Sequence, residues 1–501
     1  WSKTELYVLD RRAPGGESLI PIAVGAVGAV GADAIFDLAE ITNNALFIRT
    51  NEGAPRYRLL RVPLPRARAR RPAAGTHTSP ALAQRSTWQE IIPEGPHALQ
   101  QVALVGKTLA ALYLDNAASR VSLFGLHSRA LAKGPAVALA EVALPMLGTV
   151  AAIYAHPEGN ELFLPFSSFL SPTAILRQSL TRRRPSPTAP APALATSRPA
   201  SANEARETAI SPPDVWLQIP SPFSSSLPAD SFVVTRDSFT SKDGTQIPLF
   251  LVHRRDVVRD GNTPTALYGY GGFNVNITPG WAPSIVPFIE KGGVYAVAVL
   301  RGGGEFGESW HQAGMLGRKQ NVFDDFTGAA AHLIAARITC PARLAILGRS
   351  NGGLLVGAAL TQRPDLFRVA ISGVPLLDMI RYHKFRIAKL WIPEYGSADD
   401  ADAFAWLYAY SPYHHVRDKA VYPAVMFVTA ASDTRVDPLH ARKMTARLQA
   451  ASSSPRPILL RLETEAGHGA GKPLAKVIAQ AVDEWIFLFR ELGLELGLEP
   501  G

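Results

Sequence analysis

The chain has 501 residues, 47% of them hydrophobic and 19% charged, with a formal charge of +9. That length exceeds what one compact core organises, so two domains are expected, and no apolar run is long enough to cross a bilayer. Cys340 is the only cysteine, which excludes an internal disulfide and fits a reducing, cytoplasmic setting.

The chain opens at Trp1 with no charged leader before an apolar stretch, so no signal peptide is read. Residues 1 to about 180 then carry short runs rich in Val, Leu, Ile, Phe and Tyr between turn residues. Glu5–Leu9, Asn44–Arg49, Thr108–Leu114 and Glu161–Pro165 are the clearest predicted strands. Their clusters recur on a scale of about 40–50 residues, which suggests the blades of a β-propeller. The positive charge is concentrated at Arg66, Arg68, Arg70 and Arg71 and again at Arg182, Arg183 and Arg184. Both clusters sit beside prolines, without interleaved aromatics or a nucleic-acid-binding motif, so they read as solvated loop charge and no nucleic-acid partner is expected. From Thr181 to Pro213 the chain is mostly Pro, Ala, Ser, Thr and Arg, a composition that buries too little apolar surface to offset chain ordering. A disordered insertion is expected there, inside an all-β domain spanning residues 1–222.

Residues 223–501 change pattern. Predicted strands are Ser231–Arg236, Ile247–His253, Thr265–Tyr270, Val294–Val299, Leu344–Leu347, Val369–Ser372, Ala424–Thr429 and Ile458–Leu462. Predicted helices include Asp324–Arg337, Gly352–Gln362, Pro438–Ala450 and Lys472–Glu491. Strands alternating with helices imply a mostly parallel, doubly wound α/β sheet, whose reactive groups belong on loops at the carboxyl ends of strands.

One such loop follows Leu344–Leu347, where Gly348, Ser350 and Gly352 form a G-x-S-x-G pattern between a strand and a helix. That context is a nucleophile elbow, a turn so tight that the residues two before and two after the serine must lack bulk. A serine hydroxyl needs a base to accept its proton and a carboxylate to orient that base, and in α/β hydrolases the acid and then the histidine follow the serine in the chain. His468 is the only one of twelve histidines after the last predicted strand, and it lies between Gly467 and Gly469. For the acid, the loop after Ala424–Thr429 offers Asp433 and Asp437. Asp437 precedes Pro438 and a helical pattern, the arrangement of an N-cap, which leaves Asp433 as the candidate. The Asn351 amide and the glycine-rich loop Leu267–Phe273 are the sources for an oxyanion hole. Gly302, Gly303 and Gly304 are followed by neither G-K-[ST] nor a helix start, so a nucleotide site is not expected. The adjacent His414 and His415 lack metal-ligand spacing, and no metal or other cofactor is expected.

Taken together, Tyr268–Phe273, Arg301–Gly307, Asn321–Phe326, Gly348–Gly353, Gln362–Phe367 and Gly467–Gly471 resemble the peptidase-domain signatures of the prolyl oligopeptidase family. The likeness continues through Asn51-Glu-Gly and Phe166–Pro172 and fails only in the Pro/Ala/Ser insertion and part of the basic loop. The resemblance implies an α/β-hydrolase domain preceded by a β-propeller, and a serine endopeptidase that cuts short proline-containing peptides after proline. It makes Ser350 the nucleophile, Asp433 the orienting acid, His468 the base, and Tyr270 the oxyanion donor beside the Asn351 amide. It further makes Trp391, Phe273 and Tyr395 the walls of the proline pocket and Arg435 the residue that binds the preceding peptide carbonyl. A flat apolar slot suits a pyrrolidine ring, and a guanidinium fixes the backbone beside it. Relatives that cut after Lys or Arg would need carboxylates in that pocket, and Glu394, Asp399 and Asp400 lie nearby. Asn351 and Trp391 favour proline over that alternative, over an esterase and over an inactive truncated member. The family's seven-bladed propeller also exceeds the strand-rich part of this chain, which has length for about half of those blades, so an incomplete propeller is expected. A monomer is expected, with no membrane partner.

Overall fold

A computed structural model of the chain describes residues 4–9, 19–23, 34–64, 85–126, 135–181, 212–218, 231–464, 467–469 and 472–495. Two compact units emerge, Trp1–Pro220 with Pro279–Trp281 and Phe306–Glu308, and Ser221–Thr278 with Ala282–Glu305 and Ser309–Gly501. The boundary expected between residues 222 and 223 lies outside the described residues. So do both arginine clusters and, but for Thr181, Pro212 and Pro213, the expected insertion.

The first unit is all β. A two-stranded ribbon, Leu6–Leu9 with Leu19–Ala23, precedes three antiparallel sheets. The first sheet holds Phe36–Thr42, Ala45–Thr50, Arg58–Pro63 and Gln89–Ile92, and the second holds Ala98–Val105, Thr108–Asp115, Ala118–Gly125 and Val137–Val142. Thr149–Val150, Tyr154–Ala155, Glu161–Ser168, Ser171–Ser179 and Asp214–Gln218 make the third. Strand alternation sends one set of side chains to each sheet face, so each sheet can pack on two neighbours. Phe47, Leu59 and Ile91 of the first meet Leu99, Val102 and Leu109 of the second. The second turns Val105, Leu112 and Val121 toward Leu162, Leu164 and Phe166 of the third. These are successive propeller blades, and the described sheets do not close into a ring.

The second unit is built on one eight-stranded sheet. In chain order its strands are β1 (Phe232–Thr240), β2 (Gln246–Arg254), β3 (Thr265–Tyr268), β4 (Val294–Ala298), β5 (Leu344–Arg349), β6 (Val369–Gly373), β7 (Ala424–Ala430) and β8 (Ile458–Glu463). They lie side by side as β1-β2-β4-β3-β5-β6-β7-β8, antiparallel at the β1-β2-β4 end and parallel from β4 through β8. Helices α1 (Gln320–Ala335), α2 (Asn351–Gln362), α3 (Ala401–Tyr410), α4 (Leu439–Ala451) and α5 (Leu474–Leu492) complete the framework. All eight predicted strands and four of these helices are present; α3 is an addition. The central strands are covered on both faces, which is why they read as unbroken apolar runs such as Leu344-Ala-Ile-Leu. Strand β3 stops at Tyr268, two residues short of its predicted end, and so leaves Gly269 and Tyr270 in the loop beyond it.

Two buried polar groupings, one charged and one neutral, hold the loops at the carboxyl ends of β3 and β4. Buried Arg301 grips the equally buried Asp325 of α1 through Nη2 at 2.6 Å and Nε at 2.9 Å, and Ser241 donates to the same carboxylate at 2.5 Å. Glu305 is only 1% exposed. Its Oε1 accepts the Ile277 amide at 2.6 Å while its Oε2 has no hydrogen-bond partner among the described residues, and burial pushes the carboxyl up to about 8. The folded chain therefore holds a proton here that the unfolded chain releases near the ordinary carboxylate range. Stability from this group is complete in acid and is lost as pH rises toward about 8. Glu305→Gln retains an acceptor for Ile277 without the titration. Its melting temperature should match the parent's at pH 5 and exceed it by several degrees at pH 9, and equal offsets at both pH values would contradict this account.

Candidate active site

Helix α2 starts directly after β5, leaving Ser350 alone to reverse the chain. It does so at φ 57° and ψ −117°, a conformation unfavourable to any side-chain-bearing residue. Close approach of the backbone enforces the glycines around it. A Cβ on Gly348 would sit 2.1 Å from the Gly352 carbonyl oxygen, and one on Gly352 would sit 2.7 Å from that of Gly269. The bend is anchored to β6, because the Ser350 amide donates to the Gly373 carbonyl at 2.8 Å. The amides of Gly353 and Leu354 then donate to the Ser350 carbonyl at 2.8 and 3.1 Å, starting the helix. The serine side chain is left partly exposed at the carboxyl end of the sheet.

Asp433 and His468 reach this point on the loops after β7 and β8. Asp433 is buried, and its Oδ1 accepts the amides of Arg435 and Val436, each at 2.9 Å. This leaves Oδ2 facing His468 Nδ1 at 2.7 Å, while His468 Nε2 stands 3.3 Å from Ser350 Oγ. A carboxylate on Nδ1 keeps the proton on that nitrogen and leaves Nε2 as an acceptor for the hydroxyl. Asp437 stays apart from the three. It accepts the Leu439 amide at 3.0 Å and pairs with Arg386 at 3.2 Å. Pro438, rather than Asp437, occupies the N-cap position of α4, so the aspartate caps from one residue further out.

Tyr270 is a neighbour of the Ser350 side chain. Burial pushes its phenol up to about 12, so it remains a donor at neutral pH, and the Arg435 charge acts on it in the opposite direction. The Asn351 amide is the first of α2, and first-turn amides have no partner within their own helix. Asn351's side chain is buried, receiving the Tyr395 hydroxyl at 2.8 Å and donating to the Tyr270 carbonyl at 2.5 Å.

Phe273, Trp391 and Tyr395 come together edge to face. The Phe273 ring lies 6.5 Å from Trp391 and 5.4 Å from Tyr395. Phe273 is half-buried and Trp391 is 5% exposed, whereas Tyr395 has no exposed surface. Tyr395 thus supports the wall from behind rather than lining it, because its ring and hydroxyl are committed to Phe273 and Asn351. Arg435 is exposed on the Asp433 loop.

The three nearby carboxylates have other tasks. Glu394 is buried between Lys319 (3.1 Å) and His311 (2.9 Å), Asp399 pairs with His383 and Lys384 (3.0 and 3.3 Å), and Asp400 caps α3 by accepting the Ala403 amide at 2.8 Å. Sequence reasoning missed His311 and Lys319 as supports of the site, since neither carries a motif that announces burial. Among the described residues no group of three or more His, Cys, Asp or Glu is placed to hold a metal.

Residues 281–495 match the model of the prolyl oligopeptidase family, and residues 1–190 match that of the prolyl oligopeptidase N-terminal β-propeller domain. A prolyl endopeptidase of Elizabethkingia miricola is 32% identical over 98% of this chain, which spans 61% of that relative's length. Prolyl oligopeptidase A of Galerina marginata is 33% identical over 91% of this chain and 55% of its own. A solved structure from a study of two prolyl endopeptidases superposes with a TM-score of 0.81 at 39% identity, covering 99% of this chain and 64% of the other. Prolyl oligopeptidase B of Galerina marginata, bound to a 35-residue hydrolysis and macrocyclization substrate, superposes with a TM-score of 0.77 at 30% identity, covering 98% of this chain and 62% of the other.

The elbow generates a structural prediction independent of activity. Gly348→Ala forces a Cβ onto the Gly352 carbonyl, so its melting temperature should fall by on the order of 5–10 °C. A melt identical to the parent's would show that the bend has slack.

Proposed function

Because this chain belongs to the prolyl oligopeptidase family, we propose that it is a serine endopeptidase that hydrolyses short peptides on the carboxyl side of proline. The observation that carries this reading is His468, with one ring nitrogen 2.7 Å from Asp433 and the other 3.3 Å from Ser350 Oγ. Ser350 Oγ attacks the scissile carbonyl carbon as His468 Nε2 takes its proton, while Asp433 steadies the imidazolium. The negative oxygen of the tetrahedral intermediate receives the Asn351 amide and the Tyr270 hydroxyl. Collapse breaks the C–N bond, with Nε2 returning the proton to the departing amine and an ester left on Ser350. Water, deprotonated by the same nitrogen, then hydrolyses that ester.

Selectivity for proline follows from the aromatic surface that Trp391 and Phe273 form edge to face, backed by Tyr395, which suits a flat ring better than a flexible chain. Arg435 is the group assigned to the carbonyl before the proline. Specificity for basic residues is disfavoured because Glu394, Asp399 and Asp400 are each engaged elsewhere. We read the substrates as short proline-containing peptides, the chain as acting alone as a monomer, and the setting as the cytoplasm. The single cysteine fits that setting, and among the described residues no helix is long and apolar enough to cross a membrane.

Purified chain should release the leaving group from a blocked Gly-Pro amide, with a blocked Arg amide slower by about 100-fold or more. Ser350→Ala should lose at least about 10⁴-fold in turnover, and turnover within tenfold of the parent's would refute the assignment of the nucleophile. Asp433→Asn should keep the parental fold yet lose about 10³–10⁴-fold in kcat, through the wrong imidazole tautomer.

A further inference from the structure

The dipeptide Glu394-Tyr395 connects the proposed pocket to the loop after β3 and to the elbow. Glu394 is 1% exposed. Its Oε1 accepts the Phe273 amide at 3.0 Å and the Lys319 ammonium at 3.1 Å, and its Oε2 lies 2.9 Å from His311 Nε2. Lys319 also donates to the Gly271 carbonyl at 2.9 Å. The loop held in this way is strained, with Gly271 at φ 63°, Phe273 at φ 59° and Asn274 at φ 58°. Glycine accepts such values without penalty, and asparagine tolerates them, but phenylalanine does not. Charge-assisted bonds to buried carboxylates are among the strongest a backbone amide makes, and here that bond falls on the strained aromatic residue. The loop has no slack, since a Cβ on Gly272 would come within 2.7 Å of Asn351 Nδ2 and 2.9 Å of Lys319 Nζ. Burial pushes the Glu394 carboxyl up, yet Lys319 and His311 more than offset it and hold the group below the usual carboxylate range.

We infer that Glu394 is a positioning residue for substrate selectivity, its carboxylate clamping Phe273 in a left-handed conformation against Trp391. The inference rests on the reading of the pocket given above. Glu394 does not touch the reacting groups, and Ser350, His468 and Asp433 are held by other bonds. Losing this acceptor lets Phe273 relax away from Trp391 without dismantling the nucleophile.

The test compares the parent, Glu394→Leu and the double variant Lys319→Met/Glu394→Leu, which removes the acceptor of the Phe273 amide and leaves no lysine uncompensated in the interior. Each is assayed on blocked Gly-Pro and Gly-Ala amides and for its rate of labelling by a serine-directed fluorophosphonate. Both variants should lose about tenfold in kcat/KM on the proline substrate and at least about fivefold in proline-over-alanine preference. Their labelling rates should stay within about threefold of the parent's. A preserved preference, whether activity is unchanged or falls in step with labelling, would reduce Glu394 to a structural ion pair and overturn the inference. Should Glu394→Leu alone fail to fold, the double variant decides by the same criteria. A parent that is labelled but cleaves neither amide refutes the proposed peptidase activity itself, an outcome told apart by the parental rates alone.

Discussion

A serine at φ 57° and ψ −117° does not stay there by preference. Its surroundings must hold it, and the arrangement of the second unit follows from how they do so. Strand β5 and helix α2 are joined by this one residue, so the strand end and the first helical turn nearly touch. Only hydrogens at Gly348 and Gly352 permit the contact. The helix itself must lie close to the sheet, and eleven of its twelve residues are buried. Gly357, Ala358 and Ala359 belong to that requirement, since a Cβ on Gly357 would meet Leu377 at 2.3 Å. Parallel pairing of β5 with β6 supplies the remaining anchor through the Gly373 carbonyl. Strain at Ser350 is thus sustained by a core buried on both faces of the sheet.

The other site groups are then delivered by neighbouring loops, each fixed at its base. Asp433 is immobilised by two amides of its own loop before it meets His468, so the imidazole is oriented by a carboxylate that has little freedom of its own. The loops after β3 and β4 are held by buried charge, through Arg301 with Asp325 on one side and Lys319 with Glu394 on the other. Such pairs are expensive to desolvate and contribute little net stability against an apolar alternative. Their value lies in geometry, because a buried ion pair has few acceptable partners and so fixes the backbone around it.

How much of this was legible in the sequence depends on the range of the interaction. The sheet strands were readable because burial on both faces writes an apolar run into local sequence, as in Ala424–Thr429. Ser350, Asp433 and His468 were readable because chain order narrows the search to loops after particular strands. Helix α3 escaped because Phe404 and Tyr408 are exposed while Leu407 and Tyr410 are buried, so its apolar residues encircle it without an obvious stripe. Asp400 looked like a possible specificity carboxylate, and only the fold reveals it as the cap of that helix. The pairing of Lys319 with Glu394 spans 75 residues and leaves no local trace. For Tyr395 the neighbourhood was readable but the orientation was not, because lining and backing a wall call for the same residue type. In the first unit, strand propensity gave the strands, while their grouping into three sheets is set by pairing that no simple period records.

The most direct test of the central arrangement is a crystal structure of the chain soaked with a blocked peptide aldehyde ending in proline. The aldehyde carbon should be bonded to Ser350 Oγ, with its oxygen within hydrogen-bonding distance of the Asn351 amide and the Tyr270 hydroxyl. The pyrrolidine ring should lie against Trp391 and Phe273. A covalent bond to any other residue, or a proline ring bound elsewhere with Ser350 unmodified, would contradict the account.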